Sequence, residues 1–510
     1  MKFIYKISFV LVLILGTACD ADKLDQLDPN RFNSESYYTN GNQLLYSTNA
    51  IYSQLLGADL WGRMMQYFSD MRADEHAAGG AQLEVHNAQL LDGSYTNSNY
   101  PINAAWRGMY RVIHRANAVI ENEPGIEDVD FNEDLRRRLV AEAKFLRAYA
   151  YYYLNVNWGR VPLYTETVKS LDGAKPLAEE AEIYTLLEKD LTDIQDDLEW
   201  VYTGENAGRA NKGAAKLLLA RVLMHQGKYG PARDQLLDIY NDGPFELVAN
   251  YSDNFKEETE YNQESIFEIG FAGQGFTWAE DANSTNARRT IMFQDYSPVA
   301  WRNAIPSDKL LNDFEHVDLG DAKTDPRLGE TVYFTGDTFG SPGDPKTLTH
   351  EMQNGYASNF HGTTIKTSWK KYSPMYKLDP EGYYESAINY RNMRYAEVLL
   401  KLAECENELT NPTDAIGYLN EIRSRPSVDM PDYPTANYPC DSYDEIMRAI
   451  MHEGMVEFSN EKLRVLDLAR WRKNDKFSTV NPEPVAYIAN DPSKALLPYP
   501  NEETEANPHF

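Results

Sequence analysis

The chain has 510 residues, of which 42% are hydrophobic, so it is long enough to bury a large core. Its formal net charge is −29, and loss of an N-terminal segment carrying Lys2 and Lys6 makes it −31 (−29 − 2). So acidic a surface repels phosphate backbones and anionic lipid headgroups, which argues against a nucleic-acid partner and against membrane attachment through charge.

The N-terminus has the three zones of an export signal. Met1 to Lys6 is positively charged, residues 7–15 are almost wholly apolar, and Gly16-Thr17-Ala18 supplies small residues before Cys19. The apolar stretch is too short to span a bilayer, which needs roughly 20 residues. We therefore expect a lipoprotein signal at residues 1–18 and lipid attachment at Cys19. Gly16 stands where such signals usually have Leu, Val or Ile, so ordinary secretion with an unmodified cysteine is the alternative.

The remaining cysteines are Cys405 and Cys440, and the sequence leaves open whether they pair. Residues 19–33 are polar and lack periodicity, which predicts a tether between lipid and fold. Apolar spacing predicts helices over residues 34–56, 102–121 and 132–156. In the last of these, Leu139, Leu146 and Tyr153 recur every seven residues and form one apolar stripe.

Two later segments share a helix-turn-helix pattern. Ala220 and Ala232 are twelve residues apart, as are Ala403 and Ala415, and a leucine follows the second alanine by four residues each time. Small residues at this spacing are typical of tetratricopeptide units, in which paired helices pack closely. Two ordinary helical hairpins that share the pattern by chance are the alternative.

Helical periodicity fades over residues 243–389, where Gly, Pro, Asn, Asp and Thr are frequent. A long loop-rich insertion in a compact protein is usually functional. We therefore expect the ligand-binding part of the molecule here.

Catalytic motifs are incomplete in this sequence. His452-Glu453 lacks the second histidine of a zinc protease motif. Residues 128–139 begin like a calcium loop, but Glu133 and Leu139 replace its essential Gly and Glu. No P-loop and no G-x-S-x-G elbow occurs, so no catalytic residue and no cofactor is predicted. No metal site is assigned either, and the sequence leaves open whether the loops hold a metal ion. Paired carboxylates of a glycoside hydrolase stay open, since spacing in the sequence selects none of the 78 acidic residues.

Aromatic side chains on loops are the better candidates for ligand contact, because a sugar ring stacks its C–H patch on an aromatic face. For each candidate the alternative is a half-buried loop anchor. Trp158, Trp369 and Trp471 lie in helical or scaffold contexts and are assigned to structure. The predicted ligand-binding residues are Trp278, Trp301, Tyr296, Phe276, Trp61, Tyr95 and Tyr100. Arg288-Arg289 could meet an anionic glycan or form a solvated charge pair.

Five blocks resemble, in order, motifs of the SusD/RagB family of outer-membrane lipoproteins of Bacteroidetes. They are EAKFLRA (142–148) with WGRVPL (158–163); KGAAKLLLARV (212–222); RYAEVLL (394–400) with Ala403-Glu404 and Asn407; Glu453, Glu457, Arg464, Asp467 and Arg470-Trp471; and LLPYP (496–500) with Asn507-Pro508. Departures from the family pattern fall at Met455, Ser459-Asn460 and Tyr499.

This resemblance implies a mainly α fold, with a helical scaffold of tetratricopeptide-like helix pairs and a long irregular loop-rich insertion, as one domain over residues 34–510. It also implies a surface-exposed lipoprotein of the outer membrane that captures an oligosaccharide, has no catalytic role, and caps a SusC-like TonB-dependent transporter. In the RagB branch the captured ligand is a peptide, so peptide capture is an alternative. A surface hydrolase remains a third possibility.

Overall fold

The computed structural model describes residues 37–272, 290–377 and 386–510. Over these ranges the chain is mainly helical, as the sequence predicts. Among the helices described there, we find none with the length and apolarity needed to cross a membrane.

Asparagine caps set the start of three of the first helices. The side chain of Asn40 accepts a hydrogen bond from the backbone N–H of Gln43 and so caps the helix that begins at Gly41, within the predicted range 34–56. Asn99 and Asn132 cap the two long helices in the same way. The helices up to the insertion are α1 (Gly41–Leu55), α2 (Met64–Asp70), α3 (Val85–Asp92), α4 (Tyr100–Asn122), α5 (Glu133–Trp158), α6 (Glu180–Asp193), α7 (Lys212–His225) and α8 (Tyr229–Asp242).

The helices pack as successive neighbours. Helix α4 lies against α5, α5 against α6, and α6 against α7. The predicted stripe on α5 is confirmed, because Leu139, Leu146 and Tyr153 are all buried. Gly159, which ends α5, has a φ of 70° that suits glycine.

Both predicted helix-turn-helix segments form helical hairpins. The first is α7–α8, and the second is α12 (Tyr395–Glu408) with α13 (Pro412–Arg423). Ala220, Ala232, Ala403 and Ala415 are fully buried, which lets the paired helices approach closely. Helix α8 packs against α12, so the two hairpins are neighbours although the insertion separates them in sequence.

The insertion contains short strands, which the prediction of a loop-rich region missed. The antiparallel pairs are β1 (His76–Ala78) with β3 (Ala304–Pro306), β2 (Ser265–Ile269) with β10 (Tyr390–Arg394), β4 (Val332–Phe334) with β9 (Thr367–Trp369), β5 (Thr338–Phe339) with β6 (Lys346–Thr347), and β7 (Ser358–Phe360) with β8 (Thr363–Ile365). Three short helices lie among them: α9 (Met292–Tyr296), α10 (Asp308–Leu311) and α11 (Arg327–Thr331). In β1–β3, His76 faces Pro306 and Ala78 faces Ala304, so this pair joins the insertion to the segment after α2.

The C-terminal part returns to helices. They are α14 (Tyr443–Phe458), α15 (Arg464–Lys473), α16 (Lys476–Thr479), α17 (Ala486–Asn490) and α18 (Asn501–Ala506). Trp158, Trp369 and Trp471 are buried, as assigned. Cys405 and Cys440 are both buried and unpaired, which answers the question that the sequence left open.

A buried group of arginines and glutamates, which we call the Glu457 network, ties the insertion to the scaffold. The Glu457 carboxylate on α14 lies 2.7 Å from Arg394, 2.9 Å from Arg425 and 2.9 Å from Arg327. Glu264 pairs with Arg394 at 2.7 Å and with Arg425 at 2.6 Å. Although burial alone would raise the pKa of Glu457, the three guanidinium groups hold it well below the ordinary range.

Candidate functional site

Two of the predicted aromatic residues are exposed and belong to one chain of contacts on the surface. Tyr100, at the start of α4, is 42% exposed, and Trp301, just after α9, is 36% exposed. Arg63, Glu84 and His86 lie between them and connect them through successive side-chain contacts. We call these five residues the Trp301–Tyr100 strip.

Arg63 supports the strip at the Trp301 end. Its guanidinium carbon lies 5.8 Å from the Trp301 ring centroid, within reach of a cation–π interaction. The same guanidinium donates two hydrogen bonds of 3.1 Å to the buried carboxylate of Asp295. This bidentate pair fixes the guanidinium plane, because both its position and its orientation are specified.

The pKa values around Arg63 follow from burial and pairing. Burial raises the pKa of the Asp295 carboxyl, and the charge of Arg63 offsets this rise only in part. Burial lowers the pKa of Arg63, but Asp295, Tyr67 and Glu84 together outweigh burial and raise this pKa above its ordinary range. Arg63 is therefore a fixed, permanently charged group whose edge remains partly accessible.

Glu84 and His86 fill the centre of the strip. Glu84 Oε2 lies 3.2 Å from Arg63 Nη2 and 3.5 Å from His86 Nε2. The nearby His86 imidazole, together with the charge of Arg63, holds the pKa of Glu84 below its ordinary range despite partial burial. Glu84 is thus an ionised carboxylate with a half-exposed side chain, able to accept hydrogen bonds from a ligand.

The other end of the strip is set by helix ends. The His86 ring meets the Tyr100 ring edge to face, with centroids 5.6 Å apart. Asn99, which caps α4, donates to the backbone carbonyl of His86 at 2.8 Å and so joins the starts of α3 and α4. Tyr100 follows this cap directly, so its ring position is determined by the helix start.

Tyr356 is an exposed aromatic on the neighbouring loop that the sequence reasoning missed. It is 54% exposed, and its backbone N–H donates to Gly79 at 2.7 Å, while Gly79 donates to Asn303 at 2.8 Å. The guanidinium of buried Arg302, the residue after Trp301, donates to the carbonyls of Tyr356 and Asn354. The Gly355-Tyr356 sequence carries the signal used for the other candidates, an aromatic residue in a loop-rich segment.

Three predicted residues are packed inside the molecule instead. Trp61 is 1% exposed and stacks on Tyr390 with centroids 4.4 Å apart. Tyr296 is 2% exposed, and its hydroxyl donates to Asp70 at 2.9 Å. Tyr95 is buried too, with its hydroxyl bonded to the Lys494 carbonyl. None of the three offers a ring face to a ligand in this conformation, so we leave them out of the site.

The other predicted residues lie outside the described ranges. These are Phe276, Trp278, the Arg288-Arg289 pair and the lipid-attachment residue Cys19. The strip combines Trp301 of the predicted ligand-binding insertion with residues that precede it in the sequence. It offers ring faces, a fixed guanidinium, a carboxylate and an imidazole, which together suit a ligand with C–H patches and many hydroxyls.

Two family models match the chain in tandem. The model described as "SusD family" covers residues 263–509, and one described as "starch-binding associating with outer membrane" covers residues 23–224. The chain belongs to the SusD/RagB family. The resemblance read from the sequence motifs is thus confirmed.

Individual relatives are similar along nearly their whole length. SusD-like protein P25 of Formosa agariphila is 25% identical over 487 residues, covering 91% of this chain and 89% of the relative. A SusD-like carbohydrate-binding protein from Bacteroides fragilis has a TM-score of 0.75 at 22% identity, and the match covers 93% of this chain and 99% of that protein. Surface glycan-binding protein A from Bacteroides thetaiotaomicron, solved with laminarihexaose, has a TM-score of 0.71 at 21% identity, with 92% and 98% covered. These structures confirm the fold.

Proposed function

We propose that the protein is a cell-surface lipoprotein that captures an oligosaccharide and delivers it to a SusC-like TonB-dependent transporter for import across the outer membrane. The observation that carries the glycan-binding part is the Trp301–Tyr100 strip. Its two exposed rings flank three polar side chains that are held in place by neighbouring residues.

The chemistry of the strip fits a saccharide. A pyranose ring stacks its C–H face on an indole or phenol ring, while its hydroxyls donate to carboxylates and accept from guanidinium groups. Glu84 supplies the acceptor and Arg63 the donor, between the two rings. Because Asp295 already fixes Arg63, little side-chain entropy is lost when a ligand binds.

The cellular role rests on the family and on the leader sequence. The description of the matched family places its members at the outer membrane, and Cys19 after small residues provides an attachment point for lipid. A single acyl chain holds weakly, at about 0.8 kcal/mol per buried CH₂, so durable anchoring needs the several chains that lipoprotein processing adds. The protein would bind its ligand without turnover and pass it to the transporter.

Binding to defined glycans tests the proposal. The purified protein is titrated calorimetrically with laminarin and starch oligosaccharides, and with a mixture of short peptides. We expect saturable binding of a glycan, and we expect Trp301→Ala to weaken it about tenfold or more, equivalent to about 1.4 kcal/mol. Tyr46→Ala is the matched control, since Tyr46 is an aromatic residue on α1 that is 61% exposed and lies outside the strip.

Three results would contradict the proposal. Unchanged affinity in Trp301→Ala would show that the Trp301–Tyr100 strip is not the glycan-binding site. Binding of peptides but of no glycan would favour the peptide-capturing alternative. Appearance of shortened saccharides during incubation would indicate a hydrolase.

A further inference from the structure

A cluster of two histidines and an aspartate lies on the insertion and shares no residue with the strip. His316 and Asp318 belong to the turn that follows α10, and His361 lies in the tight turn between β7 and β8. A ligand atom from each side chain lies within 4.8 Å of the others. We call these residues the His316–His361 cluster.

The backbone of the hairpin turn fixes His361. His361 has a φ of 48° and Gly362 a φ of 79°, the pair of positive values that defines a type I′ turn. The His361 backbone N–H donates to Asn312 at 2.9 Å, and its ring stacks on Phe360 with centroids 3.9 Å apart. The imidazole is therefore held by the turn, by a hydrogen bond and by an aromatic neighbour.

Both ring nitrogens of His361 are shielded from solvent and have no hydrogen-bond partner within the described structure. A shielded polar atom normally has a partner, so orphaned nitrogens on a fixed ring point to a missing ligand. Burial lowers the pKa of His361, which favours the neutral imidazole that can donate a lone pair to a metal ion.

His316 and Asp318 have the spacing of neighbouring metal ligands. His316 Nδ1 lies 3.5 Å from Asp318 Oδ2, and the His316 and His361 ring centroids are 4.6 Å apart. Two ligands that each lie about 2.0–2.2 Å from a tetrahedral ion are about 3.4 Å apart. The Asp318 backbone N–H donates to His316 Nδ1 at 3.2 Å, so an ion bound at that nitrogen would replace this hydrogen bond.

We propose that His316, Asp318 and His361 bind one divalent transition-metal ion, with Zn²⁺ the best fit, and leave a fourth position open to solvent. Two imidazole nitrogens and one carboxylate oxygen suit Zn²⁺ and its neighbours in the first transition row, whereas Ca²⁺ and Mg²⁺ prefer sets made of oxygen. The Asp318 side chain is 72% exposed, so the fourth position faces water. That position can hold a water molecule or an oxygen or nitrogen donor from a ligand.

A second cluster of possible metal ligands differs from the His316–His361 cluster in its burial and in having a lysine beside it. Asp70, Glu75 and His76 are also close together, but they are deeply buried. The ammonium group of Lys462 lies 3.4 Å from Asp70 and already supplies a positive charge there. At the His316–His361 cluster, by contrast, the neighbouring groups that act on the pKa of His361 are the other two cluster members, His316 and Asp318.

The test measures metal binding by the purified full-length protein after treatment with a chelator. Calorimetric titration with ZnCl₂ at pH 7.5 should show one saturable site, and Co²⁺ should give the visible absorption bands of a tetrahedral ion. The affinity should be lower at pH 5.0 than at pH 7.5, because a protonated histidine cannot bind a metal ion.

Two variants separate this site from other metal-binding groups. His361→Asn removes the imidazole but keeps a residue that tolerates the type I′ turn, and Asp318→Asn removes the carboxylate charge. Each should weaken Zn²⁺ binding at least tenfold, while the melting temperature without metal stays unchanged. His509→Ala, at an exposed histidine near the C-terminus, should bind like the parent protein. Absence of a saturable site, or equal affinity in His361→Asn and the parent, would overturn the proposal.

Discussion

The Glu457 network and the Trp301–Tyr100 strip use the same residue types in opposite ways. In the network, Glu457, Arg394 and Arg425 are fully buried, and each charge has partners inside the protein. In the strip, the Arg63 side chain is 12% exposed and the Glu84 side chain is 37% exposed, so both charged groups reach the surface. Burial, rather than residue type, separates the arginine–glutamate pairs that hold the fold from the more exposed pair that we propose for binding.

This difference has an energetic cause. A buried charge that loses its partner keeps its full desolvation cost, whereas an exposed charge is compensated by water. Substitutions in the network should therefore change stability most, and substitutions in the strip should change binding most.

The largest effect is expected for Glu457→Gln. The change removes one carboxylate charge that Arg327, Arg394 and Arg425 share, and leaves one positive charge in this buried network without its counter-charge. We expect a loss of about 3–5 kcal/mol in the free energy of unfolding, measured by urea denaturation at pH 7.

Arg137→Ala is the control for that measurement. Arg137 pairs with Asp134 on the surface of α5, and its side chain is 54% exposed. Exposed pairs contribute about 0–1 kcal/mol, so the control should unfold almost like the parent protein. Equal losses in the two variants would mean that burial does not separate the two kinds of pair.

Arg63→Met should affect both stability and binding, because Arg63 belongs to the strip and also neutralises buried Asp295. Removing the guanidinium leaves the Asp295 carboxylate unpaired, so we expect about 2–3 kcal/mol of destabilisation together with weaker glycan binding. Urea denaturation and calorimetry measure the two effects separately.

The double variant Arg63→Met/Asp295→Asn distinguishes the two roles. Neutralising Asp295 removes the unpaired charge, so most of the stability should return, while glycan binding should stay weak because the donor is still absent. Recovery of binding in the double variant would show that Arg63 acts only by supporting the fold.

The scaffold could be predicted from sequence because its signals are local. The stripe on α5 repeats every seven residues, and Asn132 caps the helix at the expected place. The strands of the insertion are two to five residues long, and several of them pair with strands far away in sequence, as with His76 and Pro306. Alternation over so few residues gives no usable period, so these strands could not be read.

The site was predictable only in part. Trp301 and Tyr100 are exposed as expected, but position on a loop did not predict exposure for Trp61, which stacks on Tyr390 from a distant part of the chain. Arg63 and Glu84 belong to no sequence motif. They become candidates for ligand binding only because the fold places them between two aromatic rings. Long-range packing decides which loop aromatics are exposed and which polar side chains lie beside them. A single sequence does not show which distant residues pack together.

Glu75→Gln gives the smallest effect and the opposite sign to Glu457→Gln, although both glutamates are fully buried. Glu75 lies near Asp70 and Asp74, and burial together with these carboxylates raises its pKa from 4.5 to about 8. Folding thus favours the protonated form, so its contribution to stability is complete below pH 4.5 and is lost as the pH rises through 8. Glutamine mimics the protonated form and should stabilise the protein by about 1–2 kcal/mol at pH 8.5, with little change at pH 5. Urea denaturation at the two pH values measures this; destabilisation at pH 8.5 would mean that Glu75, like Glu457, is needed as a charge.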